Sequence, residues 1–260
     1  SFHARAIPRW RKWLYRTRTA AALGGGGAFG RWLNRLKPPY YSRWLEQTGL
    51  RQGNRVLDVG CGAGNLLRIL QLSGLKCTGI DPYLPADSLT PEGVELRKTD
   101  LLAEQKTYHA ILFNHSFEHV PNPCEVLGKA AELLEPGGCV VVRMPLSDSF
   151  AFFHYGADWI QWDAPRHLNL FTQDSFRRLA EQVGLRVETI IHDSDKMQFW
   201  GSEEYRRNIF HNSKESYGHA PRQTLFTKRQ LRDFDRWAKW LNQMGAGDQA
   251  AFICRKLQTA

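Results

Sequence analysis

Beyond position 55 the chain alternates short apolar runs with amphipathic stretches. The runs at 55–59, 76–80, 94–98, 109–113, 139–143 and 186–192 read as strands. The stretches at 64–73, 122–134 and 172–183 carry apolar residues at helical spacing, with Asn122 and Thr172 placed to cap helix N-termini. Glu135-Pro136-Gly137-Gly138 predicts a turn between helix and strand. Strands alternating with helices predict an α/β fold, a parallel, doubly wound sheet. A last apolar run at 250–255 predicts one more strand; no helix-sized segment follows it, so it is expected to close the sheet edge.

Two segments stand outside this alternation. Residues 1–54 interleave bases with aromatics from Arg9-Trp10-Arg11-Lys12-Trp13 onward and contain a Gly24-Gly25-Gly26-Gly27 hinge. They read as a basic, aromatic, helical N-terminal cap on a main domain at 55–256. Residues 196–246, rich in Trp, Tyr and Arg, read as an insertion of two or three helices in that domain.

Composition narrows the class. With 42% apolar and 23% charged residues, the 260-residue chain has ordinary globular composition and enough length to bury a core without staples. Apolar runs such as Val140-Val141-Val142 fall far short of the ~20 residues of a membrane span. Five cysteines without a C-x-x-C pair argue against a disulfide framework and a thiolate zinc site, and predict reduced thiols in a cytoplasmic protein.

The net charge of +9 is unevenly spread. Residues 1–54 hold eleven bases and one acid, residues 196–246 ten bases and five acids, while residues 55–195 hold twelve bases against nineteen acids. A basic stripe across the catalytic body would be a nucleic-acid footprint, and this distribution shows none, so no stable nucleic-acid partner is expected. The basic flanks are expected to cover the substrate entrance and to suit an acidic or phosphate-bearing substrate. The basic, aromatic opening also suits peripheral contact with a membrane surface.

Val56-Leu57-Asp58-Val59-Gly60-Cys61-Gly62-Ala63-Gly64 carries the chemistry. An apolar strand ends in an acid, and three glycines then let backbone approach a ligand as a helix begins. Asp81, at the tip of the next strand, can accept both hydroxyls of a ribose. A pyrophosphate site wants G-x-G-x-x-G. Here the order is D-x-G-x-G-x-G, and the leading acid suits an ammonium instead. S-adenosylmethionine offers an ammonium, a carboxylate, a ribose and an adenine, and no phosphate.

On this loop, together with Thr99-Asp100-Leu101, the segment from Phe113-Asn114-His115 to Val120-Pro121-Asn122-Pro123, and Leu134-Glu135-Pro136-Gly137-Gly138, the chain resembles class I S-adenosylmethionine-dependent methyltransferases of the small-molecule and glycan type. The resemblance covers about residues 50–192 and 249–256. It implies a Rossmann-like, seven-stranded, mostly parallel sheet with the last strand antiparallel. It also implies an enzyme that transfers a methyl group from S-adenosylmethionine, leaving S-adenosylhomocysteine, to an oxygen or nitrogen of a small molecule or glycan. Asp58 and the backbone of Gly60, Cys61, Gly62 and Gly64 would hold the methionine part, with Asn114 at its ammonium. Asp81 would take the ribose, Pro82 would lie beside the adenine, and Asp100 and Leu101 would meet the adenine amino group.

An oxygen or amine nucleophile must shed a proton, and histidine is the usual base near neutral pH. His119, after the fourth strand, and His167, in Asp163-Ala164-Pro165-Arg166-His167-Leu168-Asn169, are the candidates. His115-x-x-Glu118-His119 also supplies three ligand types for a metal, but loop geometry need not converge them, and no metal is expected. Trp159, Trp162, Phe152, Phe153 and Tyr155, with Trp200 and Tyr205, would form a substrate wall or pack a lid. The rivals are an RNA or other nucleic-acid methyltransferase, a nicotinamide oxidoreductase, which the glycine order disfavours, and a non-catalytic cofactor-binding module. The first is disfavoured because Asn114-His115-Ser116-Phe117 lacks the Asn/Asp-Pro-Pro-Tyr motif of base-amine enzymes.

Overall fold

The structure, a computed structural model, describes residues 6–25, 27–36, 38–211, 213–221 and 225–257. Strands β1 (Arg55–Val59), β2 (Lys76–Ile80), β3 (Ser88–Leu89), β4 (Glu95–Arg97), β5 (Tyr108–Asn114), β6 (Leu134–Pro145), β7 (Leu185–His192) and β8 (Gln249–Lys256) form one sheet in the order β3-β4-β2-β1-β5-β6-β8-β7. Neighbours from β4 to β6 pair in parallel, and β8 runs antiparallel to both β6 and β7.

Three expectations need correction. The sheet has an eighth strand, the two-residue β3, too short to show an apolar period. The last strand does not close the edge: β8 slides between β6 and β7, where Ala250 to Cys254 are buried on both faces. Residues 135–138 are a bulge inside the start of β6 rather than a turn before it, since Tyr108 pairs with Leu134 and Ala110 with Cys139.

Alternating side chains explain the apolar runs. Leu57, Phe113, Val142 and Phe252 point to one face, under α5 (Pro123–Glu132) and α7 (Gln173–Gln182). Val56, Leu112, Val141 and Ile253 point to the other, under α3 (Tyr40–Gln47) and α4 (Asn65–Gln71). A sheet covered on both faces has no polar side to alternate with. Thr172 caps α7, accepting from Ser175 N at 3.0 Å, whereas Asn122 makes no cap bond to α5 and donates to Glu125.

α1 (Arg9–Ala22) and α2 (Ala28–Leu36) form a hairpin that packs on α3 and α4, and Lys12 pairs with Glu92 at 2.9 Å. Gly30 permits their approach: a Cβ there would lie 2.6 Å from the Thr17 carbonyl oxygen. Of the glycine hinge between them, Gly26 lies outside the described residues. α6 (Phe150–Tyr155) joins α8 (Met197–Tyr205) and α9 (Lys228–Gln243) in a separate apolar cluster around Trp159, Ile160, Phe199 and Leu241, which roofs the β6–β7 side. Among the described residues, no helix is long and apolar enough to cross a membrane.

Candidate active site

The glycine loop is built by ties to two neighbouring strand ends. Gly60 N and Cys61 N donate to the Ile80 carbonyl at 2.8 and 3.2 Å, fastening the loop to β2. On the other side Ser116, just past β5, donates its hydroxyl to the Val59 carbonyl at 2.5 Å. Gly60 has φ +73°, and a Cβ there would lie 2.5 Å from the Ser116 Cβ, so this position excludes every side chain. Gly64, also left-handed, begins α4. Asp81 accepts from Gly62 N at 3.0 Å and from Tyr83 N at 2.9 Å, so the carboxylate at the tip of β2 shapes the loop itself.

Asp58 is 4% exposed, and its Oδ1 has no hydrogen-bond partner among the described residues. Burial, with the nearby Asp81 charge, pushes its carboxyl up to about 8. A buried acid beside a second acid, and short of a partner, is a place where a cation is worth a great deal. The half-buried Cys61 turns its sulfur toward Gly79, and burial raises its thiol far above the usual range, so it offers no reactive thiolate. Asp100 is exposed and accepts from Ala103 N at 3.0 Å, Pro82 is exposed, and the Leu101 side chain belongs to the core. Asn114 accepts from Arg143 Nη1 at 3.4 Å.

His119 and His167, 48 positions apart in the chain, pack with ring centroids 4.9 Å apart and planes tilted by 53°. The 163–169 segment is laced onto the turn after β5: Leu168 N and Asn169 N donate to the Glu118 carbonyl, and Asn169 Nδ2 donates to the Val120 carbonyl at 2.6 Å. His119 Nδ1 lies 2.7 Å from the Arg166 carbonyl oxygen and His167 Nδ1 2.7 Å from that of Gln161. A carbonyl only accepts, so each Nδ1 carries a proton, and in the neutral ring Nε2 keeps a lone pair. Burial lowers the pKa of His167, which favours its neutral form.

The metal-type constellation differs from the one in the sequence. Glu118, His119 and His167 bring their ligand atoms within 4.8 Å of one another, while His115, at φ +55°, points Nε2 at Arg143.

A cavity of about 280 Å³ is lined by His115, Arg143, Gln161, Asp195, Met197, Gln198, Asp248 and Gln249; neither His119 nor His167 lines it, though His167 bonds the Gln161 carbonyl. Arg143 is held by Asp193 at 2.6 Å and lies over the Tyr40 ring. Asp248 is buried, accepts from Trp159 Nε1 at 3.2 Å, and has its carboxyl pushed up to about 7 by burial. The Gln198 side-chain Oε1 is buried without a hydrogen-bond partner among the described residues. Sequence reading missed Arg143, Gln198 and Asp248; a lone arginine inside the apolar run of β6 was the available signal. The aromatics pack a roof: Trp159 is buried against Phe152, and Trp200 rests on Tyr217 and His211. The flanks reach the cavity unequally. Met197 and Gln198 of α8 line it, whereas α1 lies on α4 with α2 against it, and the cavity's cation comes from β6.

Residues 29–190 match a family model described as a methyltransferase domain. The chain belongs to that methyltransferase family. It is 32% identical over 167 residues to the ubiquinone biosynthesis O-methyltransferase of Dechloromonas aromatica, covering 57% of this chain and 71% of the relative. It is 28% identical over 174 residues to the protein of the same name from Aeromonas salmonicida, covering 60% and 72%. Among solved structures, the cyclopropane synthase MmaA2 of Mycobacterium tuberculosis superposes with a TM-score of 0.53 at 15% identity, over 92% of this chain and 82% of that one. A methyltransferase of Galdieria sulphuraria, described as a putative sarcosine dimethylglycine methyltransferase, gives 0.53 at 16% identity, over 85% and 84%. These structural likenesses show the Rossmann-like fold. This methyltransferase is S-adenosylmethionine-dependent, and the buried Asp58, with Oδ1 unpartnered among the described residues, fits a ligand that carries an ammonium.

Proposed function

We propose that this methyltransferase methylates an oxygen of a small, hydroxylated, glycan-type acceptor held in the cavity beside Arg143. The buried Asp58, whose Oδ1 has no hydrogen-bond partner among the described residues, carries the cofactor half of the reading. Asp58 and the backbone of Gly60, Cys61, Gly62 and Gly64 hold the methionine part, with Asn114 beside its ammonium. Asp81 takes the ribose hydroxyls; Pro82, Asp100 and the Leu101 backbone frame the adenine. S-adenosylmethionine supplies an already activated methyl sulfonium, so the chain's work is to align the acceptor and to receive its proton, alignment alone being worth ~7–11 kcal/mol. His119 Nε2 takes that proton, with neutral His167 beside it as the alternative base.

The lining supports a hydroxylated acceptor. Met197 is the single apolar residue among the eight that line the cavity, which suits hydrogen-bonding groups better than a lipid-like ring. Arg143 is already engaged by Asp193, and Asp195 and Asp248 face the same space, so a neutral acceptor fits better than the acidic or phosphate-bearing one that the flanking charge suggested. The names of the relatives favour a second reading, a substrate of ubiquinone biosynthesis. Incubation with methyl-labelled S-adenosylmethionine and panels of sugars and phenols separates the two. Label on a sugar oxygen is expected. Label confined to phenols, or to nitrogen, would contradict the proposal.

Peripheral contact with an anionic membrane surface is proposed for the α1–α2 hairpin. Trp10, Trp13, Phe29 and Trp32 are each half or more exposed, amid exposed Arg9, Arg11, Arg16 and Arg35.

A further inference from the structure

A second cavity, of about 390 Å³, lies at the other end of the sheet from the glycine loop. Its walls come from strand starts: Arg55 begins β1, Lys76 begins β2, Glu95 begins β4 and Tyr108 begins β5, with Lys106 just before it. Doubly wound sheets bind their reacting ligands at the opposite, C-terminal ends of the strands, so methyl transfer makes no use of this cavity. Yet three of the twelve bases of the acidic 55–195 body converge on it. Arg55 is anchored by Glu135 at 2.6 Å, and Lys76 is its direct register partner on β2, where like charges repel. Among the described residues, neither the Lys76 nor the Lys106 ammonium has an ion pair or a hydrogen bond.

Tyr108 adds an independent observation. It is 2% exposed, and its hydroxyl has no hydrogen-bond partner among the described residues. The neighbouring Glu104 carboxylate is engaged by Arg97, and by Gln105 N and Lys106 N, each at 2.9 Å. Burial, and then the Glu104 charge, push the Tyr108 phenol up to about 12, so it stays a donor at neutral pH. A buried donor without an acceptor is costly. The lining also offers groups that suit hydroxyls. Glu95 accepts from them, and Gln71, whose Oε1 accepts from Cys77 N at 2.9 Å, keeps its Nε2 as a donor.

We propose that this cavity binds a small phosphorylated sugar or polyol. Lys76 and Lys106, with the anchored Arg55, neutralise the phosphate dianion, and Tyr108 donates to it. Glu95 and Gln71 take the hydroxyls; a carboxylate set among cations repels a bare anion but accepts from a hydroxyl, which selects the polyol over free phosphate. The volume falls in the range of small-molecule sites. The length of β1 separates this ligand from the glycine loop, so it and the cofactor are bound together rather than in competition.

Calorimetry on full-length protein in phosphate-free buffer tests this, with glycerol 3-phosphate, ribose 5-phosphate, glucose 6-phosphate, inorganic phosphate and free ribose as probes. At least one phosphorylated polyol is expected to bind at one equivalent, about tenfold or more tighter than inorganic phosphate, with no heat from ribose. Lys76→Gln and Lys106→Gln should each weaken that binding about 10-fold or more. Tyr108→Phe, which keeps the buried ring, should weaken it about 3–10-fold. Lys98→Gln, at an exposed base just past the far end of β4, should change nothing. A cooperative thermal melt reports that each variant is folded, and saturating S-adenosylhomocysteine should leave the affinity unchanged. Four results would each overturn the proposal: no binding of any phosphorylated polyol, equally tight binding of inorganic phosphate, displacement by S-adenosylhomocysteine, or unchanged binding when Lys76→Gln and Lys106→Gln are combined.

Discussion

Asp58 shows how one residue can trade stability for binding. Its carboxyl is raised from 3.8 to about 8, so the folded, cofactor-free protein holds that proton more tightly than the unfolded chain does. By linkage, its contribution to stability is present at low pH and is lost as pH rises through roughly 4 to 8. Asp58→Asn should therefore melt several degrees above wild type at pH 8 and close to it near pH 4, while binding S-adenosylhomocysteine more weakly. A thermal melt series across pH that shows the variant less stable at pH 8 would contradict this. The histidines act on turnover instead. His119→Ala, or His167→Ala if that is the base, should lower turnover by ~10²–10⁴-fold with cofactor affinity nearly unchanged, because proton removal matters only in the transition state. Equal turnover in both single variants and in the double variant would mean that positioning alone suffices. Asp58 and Asp81 were legible because strand, acid and glycines are neighbours in the chain. Ser116 and Arg143 were not, because their partners Val59 and Asp193 lie 57 and 50 positions away.

Among the elements, most strands and helices follow from their apolar period, and the exceptions have physical causes. β8 was recognisable as a strand but its place was not, because the order of strands in a sheet is set by which faces and edges remain to be buried. The bulge at 135–138 looked like a turn, since Pro136 and the left-handed Gly137 serve either role. The 163–169 segment has no period at all; it is held by hydrogen bonds to the Glu118 and Val120 carbonyls, so its delivery of His167 to His119 could not be read from spacing. The α1–α2 hairpin depends on close backbone approach at Gly30, and Gly30→Ala should destabilise it by ~1–3 kcal/mol. Hydrogen exchange should then rise in 9–36 and stay unchanged in β5 and β6. Equal protection in the hairpin would show that the helices separate without cost.

Over the whole molecule, charge and chemistry are divided. The acidic 55–195 body carries the glycine loop, the histidine pair and Arg143, while the N-terminal hairpin carries exposed aromatics and bases. Full-length protein should sediment with phosphatidylglycerol vesicles and not with phosphatidylcholine alone, and salt should release it, since each base near an anionic surface contributes about 1 kcal/mol. Replacing Trp10, Trp13 and Trp32 together with Ala should abolish sedimentation; unchanged sedimentation would place the contact elsewhere. The central claim is that the D-x-G-x-G-x-G loop, with Asp58 and Asp81, is an S-adenosylmethionine site. Calorimetric titration with S-adenosylhomocysteine, with NADH and on Asp81→Ala, tests it most directly. The account predicts micromolar S-adenosylhomocysteine binding, no heat with NADH, and a loss of ~1.5–3 kcal/mol in the variant. Tight NADH binding with no S-adenosylhomocysteine binding would contradict it.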